Sequence, residues 1–271
     1  MKLAKFAAVT LALTLAASVA FAQKAASLPA HQAIEADSDA TIFPHITMGN
    51  GWTTKILLFN VSPVSVRYRL EFYNSMGIST NIKLRDRAAA TNVIGTLLPG
   101  ASVRLETDNP NATGETQFWA ALREGGGLIG AVQTFEWTSP DGRRTSATFP
   151  ISDNSTDDPI FVPFDNTNGN VTALVLTNSD NESTPAARTV VIESFNNGGI
   201  LIFTTTRVVP AGGKPAFLLG TEYPELANRQ GLLRMRTQGS DDGDIAVLAL
   251  QADDQGNISA VVPFEGYQNV I

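Results

Sequence analysis

The stretch Val66-Arg67-Tyr68-Arg69-Leu70-Glu71-Phe72-Tyr73 decides the fold class. Val66, Tyr68, Leu70 and Phe72 alternate with Arg67, Arg69, Glu71 and Tyr73. A period of two is that of a pleated strand with one buried face, and it does not fit a helix. Further on, Ile82 and Leu84 alternate with Lys83, Arg85 and Arg87. For Leu70 and Ile82 to share a face, the turn at Asn74 must be an odd-length loop or carry a bulge. Working outward, turn residues punctuate the chain: Asn74-Ser75-Met76-Gly77, Pro140-Asp141-Gly142, Asn196-Asn197-Gly198-Gly199 and Asp254-Gln255-Gly256. Residues 244–251 (DIAVLALQ) are apolar on both faces, which predicts a central strand covered on its second side. Helix is suggested only at residues 221–228, where Pro224 limits it to about a turn.

The two halves of the chain repeat each other. Ile42-Phe43 matches Ile160-Phe161, and Thr54-Lys55-Ile56-Leu57-Leu58-Phe59-Asn60 matches Thr172-Ala173-Leu174-Val175-Leu176-Thr177-Asn178, both at an offset of 118. Leu70-Glu71-Phe72-Tyr73-Asn74 matches Ile192-Glu193-Ser194-Phe195-Asn196 at 122. Leu98-Pro99 matches Val209-Pro210 at 111, Ala131-Val132 matches Ala246-Val247 at 115, and Ser146-Ala147 matches Ser259-Ala260 at 113. The order is collinear, and the offset drifts only across turn-rich stretches, as loop insertions and deletions would make it. The reading is therefore all-β: two tandem immunoglobulin-like antiparallel β-sandwich domains after a signal peptide. A closed barrel is the alternative for each copy. The boundaries are a signal peptide at 1–22, a leader at 23–40, repeat 1 at 41–151, a linker at 152–158, repeat 2 at 159–265 and a tail at 266–271.

The N-terminal segment carries the export signal. Lys2 and Lys5 precede the uncharged run of residues 6–20, which is short for a membrane span and fits a signal-peptide core. Ala20-Phe21-Ala22 supplies the small-x-small pattern for cleavage before Gln23. The expected destination is periplasmic or secreted. With no cysteine, the chain has no disulfide, thiol chemistry or thiolate-bound metal, which fits bacterial export. Cleavage removes two lysines and moves the net charge from -7 to -9. An acidic chain with pI near 4.9 is a poor match for nucleic-acid phosphates. The charge is uneven, since residues 41–151 sum to +2 and residues 152–271 to -9.

Gly51-Trp52-Thr53-Thr54 before an apolar strand, Leu98-Pro99-Gly100 in mid-domain and the strand Ala246-Val247-Leu248-Ala249-Leu250 resemble a repeat found in pairs in secreted bacterial proteins. The resemblance covers nearly all of residues 41–265. It implies an architecture and transfers no catalytic or binding residue.

Catalytic motifs are scarce. His31 lies in the leader, and His45 is expected to be a solvated strand-end histidine. The chain has no Gly-x-Ser-x-Gly, phosphate-binding glycine loop or His-Glu-x-x-His. Paired carboxylates leave no short motif, so a hydrolase of that kind stands as a second alternative. Structural calcium would draw on Asp165 within Asp165-Asn166-Thr167-Asn168-Gly169-Asn170, or on Asp241, Asp242 and Asp244. Arg67, Arg69, Lys83 and Arg85 are expected to share the outer face of one hairpin, as a solvated face or an anion or partner surface. Trp52 is the best candidate for an exposed sugar-stacking ring, whereas Trp137 reads as core or edge packing, with Leu250 and Ala252 aligned to Phe135 and Trp137. The function expected is a non-enzymatic exported module for binding, adhesion or assembly, with a protein or glycan partner. A carbohydrate-binding module is the alternative.

Overall fold

The computed structural model describes residues 40–108, 110–151, 159–179, 186–238 and 245–265. Strand accounts for 63% and helix for 3% of the described residues, so the fold is all-β. The first eight strands are β1 (Thr41–Met48), β2 (Trp52–Asn60), β3 (Val66–Asn74), β4 (Asn92–Leu97), β5 (Ser102–Glu106), β6 (Thr116–Gly125), β7 (Ile129–Thr138) and β8 (Arg144–Ile151). Then come β9 (Ile160–Asp165), β10 (Val171–Asn178), β11 (Arg188–Asn196), β12 (Leu201–Val209), β13 (Ala216–Leu218), β14 (Gln230–Thr237), β15 (Ile245–Ala252), β16 (Ile258–Val261) and β17 (Phe264–Glu265). A helical turn at Leu219–Glu222 and a 3-10 turn at Pro224–Leu226 match the short helix expected near Pro224.

Among the described residues the strands form four antiparallel sheets, and none mixes strands of the two halves. In the first half the orders are β1-β6-β3-β4 and β5-β2-β7-β8. In the second they are β12-β11-β14-β9-β17 and β13-β10-β15-β16. Apart from β17, each order in the second half is that of the first with eight added to every strand number, one of them read in reverse. The alternation of β3 does what its period requires. Val66, Tyr68, Leu70 and Phe72 are buried with Phe43 and Ile46 of one sheet against Ile56, Leu58, Leu105 and Ala131 of the other. Such a core lies between two packed sheets. The second half repeats it with Val162, Leu174, Leu176, Ile192, Leu233 and Val247.

Pairing corrects the repeat by one residue in three places. Leu58 faces Ala131 and Leu176 faces Val247, so Ala131 corresponds to Val247 at an offset of 116 rather than 115. Phe135 faces Ala147 and Gln251 faces Ser259, which moves the β8–β16 match to 112. Asn60 Nδ2 donates to the Leu97 carbonyl and Asn178 Nδ2 to that of Val209, again 112. Phe135 thus corresponds to Gln251, not Leu250, and Trp137 to Asp253, not Ala252. Single-residue matching mistook parity here because β15 is apolar at every position but Gln251 and offers little alternation to align.

The Asn74 turn is odd-length, as expected. Asn74 N–H donates to the Ile78 carbonyl across residues 75–77, and the Asn74 side chain accepts from Met76 and Ile78 N–H. Asn196 makes the same turn, accepting from Gly198 and Ile200 N–H. After Asn196 the chain continues directly into β12, which pairs with β11. After Asn74 it leaves β3 instead, forms the isolated bridges Ile82–Ala90 within the excursion and Leu84–Thr107 next to β5, and returns as β4. Asn74 to Leu97 spans ten residues more than Asn196 to Val209, which is the drift from 122 to 112.

β15 is central between β10 and β16 and buried at every position but Gln251, which is half-buried, as its sequence predicted. Its second face and that of β10 present Ala173, Val175, Leu248 and Leu250 to Trp52, Phe135, Ala147 and Phe149 of the first half. The corresponding outward positions of the first half are Lys55, Leu57, Val132 and Thr134. Lys55 pairs there with Glu136, and Thr134 bonds Thr148. The apolar outer face therefore exists in the second half only.

Candidate functional site

At one end of the seam between the halves, the turns after β1, β5, β7 and β15 surround a cleft of about 830 Å³. The β1–β2 turn brings Asn50, Gly51 and Trp52, and the β5–β6 connection brings Asn111 and Thr113. The β7–β8 hairpin contributes Trp137, Ser139 and Arg144, and the second half adds Gly256 and Ile258. The β1–β2 turn needs unusual backbone: Gly49, Asn50 and Gly51 all have positive φ, at 86°, 51° and 85°. Asn tolerates this region better than other residues with a side chain. At Gly51 any side chain would also strike the Thr138 carbonyl.

Trp52 is only 5% exposed and packs in the seam with its ring 6.3 Å from that of Trp137. It is therefore not the exposed ring expected from its place next to a turn. The strand starts at Trp52 itself, which turns the side chain inward. Trp137 is the more accessible of the two, and Trp119 is buried, stacked on Tyr73 at 4.3 Å. The walls of the cleft thus combine indole surface with amide and hydroxyl groups and one guanidinium. Groups of this kind hold a ligand by stacking and hydrogen bonding. Asp141 sits beside the cleft, where the Ser139 hydroxyl and the Arg143 N–H hold its carboxyl below the usual carboxylate range.

The basic residues do not form one face. Arg67 and Arg69 are on β3, while Lys83 and Arg85 lie in the excursion after Asn74, beside β5. Arg69 pairs with Glu71 at 3.0 Å, Arg85 with Glu106 at 2.8 Å and Lys83 with Asp108 at 3.7 Å. The excursion, not a hairpin, separates them. Asp165 is tied into its own turn: one oxygen accepts from the Thr167 N–H and hydroxyl and the other from Asn170 Nδ2. Burial works against its ionisation, but these donors hold its carboxyl below the usual range. Asp241, Asp242 and Asp244, and the linker 152–158, lie outside the described residues. Among the described residues no group of three or more acidic or histidine side chains could hold a metal ion.

A second polar cluster, not anticipated from the sequence, lies inside the seam. His45 is 6% exposed in the middle of β1, not solvated at a strand end. Its Nδ1 is 2.7 Å from Lys214 Nζ in the β12–β13 connection, and Lys214 is 4% exposed. Lys214 Nζ also donates to Gln117 Oε1 at 3.4 Å. Glu115 accepts from Gln117 Nε2 at 2.8 Å and from the Thr47 hydroxyl at 3.1 Å, and Gln133 Nε2 donates to the His45 carbonyl. Burial, then the Lys214 charge, pushes the His45 pKa well down. Burial lowers Lys214 to about 7 against the pull of Glu115, and burial raises Glu115 against its hydrogen bonds. Sequence reading missed the cluster because its members are 169 residues apart at the widest, and a lone Lys or Gln in a β-rich chain carries no signal.

No protein-family model matches the chain, and no curated protein matches it.

Proposed function

We propose that the chain is an exported, non-catalytic binding module made of two copies of one immunoglobulin-like sandwich, with the cleft at the seam as its ligand seat. Export rests on the N-terminal pattern of Lys2, Lys5, the apolar run and Ala20-Phe21-Ala22. The doubled sandwich is supported by the eight-strand shift that relates the sheets. It is also supported by paired devices: Asn60 and Asn178, Asn74 and Asn196, and Thr54 and Thr172 make equivalent hydrogen bonds. The observation that carries the function is the cleft itself. It is a concavity built from three turns of one half and one of the other, lined by two indoles, amides, hydroxyls and Arg144. Loop ends of a rigid sandwich are where such folds commonly place binding residues.

Carbohydrate recognition is the second reading, and the lining favours it. An indole face and neutral amides match the apolar face and hydroxyl rim of a sugar, and Arg144 suits an acidic one. The described lining contains no Asp or Glu, so a paired-carboxylate hydrolysis has no acid there. Fluorescence titration of the full chain against neutral and acidic oligosaccharides tests the seat. Saturable quenching that Trp137→Ala removes, with an unchanged unfolding curve, is the expected result. Quenching that survives the substitution would move the site elsewhere, and a flat titration across the panel would remove the glycan reading.

A further inference from the structure

The seam is held in two different ways. One part is apolar, where Val175 and Leu248 meet Phe135 and Phe149. The other is polar and narrow. Residues 210–214 of the second half reach onto the first, where Trp119 Nε1 donates to the Gly212 carbonyl at 3.0 Å and Lys214 N–H to the Ser75 carbonyl at 3.0 Å. Gly77 and Gly212 meet backbone to backbone, so closely that a Cβ on either would lie 2.7 Å from the other's Cα. Lys214 anchors this contact by inserting its amine beside His45.

The groups facing that amine can be named by element. β1 brings His45 and Thr47, the residues entering β6 bring Glu115 and Gln117, and β7 brings Gln133. β10 packs there with Thr177, whose hydroxyl donates to the Pro44 carbonyl, and β15 with Ala246. Tyr73, stacked on Trp119, donates to Glu71, which is paired with Arg69 and Arg123. The titratable partners within the pocket are thus His45 and Glu115. A lysine ammonium can only donate, so beside it His45 Nδ1 must accept and the ring must be neutral. A proton on Nδ1 removes the acceptor and sets two cations 2.7 Å apart in a space shut off from water. Burial raises the Glu115 pKa, so protonation of that carboxyl favours the closed contact and offsets part of this repulsion.

We propose that this contact is an acid-released latch: with Lys214 charged, a further proton on His45 frees residues 210–214 from the first half, while the apolar part of the seam stays closed and acts as the hinge. Release uncovers Trp119 and the Gly77 turn. The latch does not depend on what the cleft binds.

Hydrogen exchange of the full chain at pH 8 and pH 5, corrected for intrinsic rates, tests it. Peptides covering 212–216 should lose at least tenfold protection at pH 5, while β3 keeps its own. Lys214→Met should stay protected at both pH values, and so should His45→Gln, which retains an acceptor without titrating. Equal protection at both pH values in the native chain overturns the latch. Loss in β3 alongside 212–216 overturns it too, since that is general unfolding. If Lys214→Met does not fold, His45→Gln decides: loss at pH 5 in that variant refutes the proposal.

Discussion

At the residue scale, a few buried polar side chains decide how the backbone ends are satisfied. Asn60 Nδ2 donates to the carbonyls of Val64 and Leu97, and Asn178 Nδ2 to those of Ala186 and Val209. Replacing either by alanine leaves one buried carbonyl, that of Leu97 or Val209, without its side-chain donor, which costs about 1–3 kcal/mol. Asn60→Ala and Asn178→Ala should each lower the urea midpoint accordingly, and by similar amounts if the two halves are equivalent. Lys214 makes the pH dependence. Its folded pKa of about 7 lies below the ordinary lysine value of 10.5, so the unfolded chain binds more protons between the two. Stability therefore rises with pH from about 7 towards 10.5. His45, depressed below 6.5, adds a loss of stability as pH falls under that value. Glu115, raised above 4.5, opposes it by losing stability as pH climbs through its own folded pKa. Denaturant curves for Lys214→Met should lose the rise above pH 7, and an unchanged slope would show that the amine does not titrate there.

At the element scale, the outer face of β10 and β15 distinguishes the halves. Leu248 is 3% exposed against the first half, whereas Val132, its counterpart by pairing, lies on a face with Lys55, Thr134 and Glu136. Leu248→Ala should cost about 2–5 kcal/mol, as a large-to-small change in a packed core does. Val132→Ala should cost well under that, because its side chain is only partly covered. Comparable losses in both would contradict the one-sided seam. Much at this scale was legible in the sequence. The β3 alternation, the odd Asn74 turn, the two-faced β15 and the single helical turn at Pro224 all follow from local chemistry. The excursion of residues 75–91 was not. Its alternating Ile82 and Leu84 are buried as expected, but as isolated bridges, because alternation reports a buried face and not the partner that covers it.

At the scale of the whole molecule, the seam should make the halves unfold together. The apolar cluster joining them includes Trp52, Phe135 and Phe149 from one half and Val175, Leu248 and Leu250 from the other. Calorimetry near pH 8 should give one transition with calorimetric and van't Hoff enthalpies equal. Two resolved transitions would mean that the seam is too weak to couple them. The sequence by itself determined the all-β class and the strand periodicity. These are local properties: side-chain alternation, turn residues and composition are written within a few residues of one another. Only the tertiary structure decided the one-residue register, the burial of Trp52 and His45, the scattering of the four basic residues and the Lys214 cluster. Each depends on which strand lies opposite and which half covers it. That pairing is set by the summed packing of residues more than a hundred positions apart, and no single stretch of chain carries it.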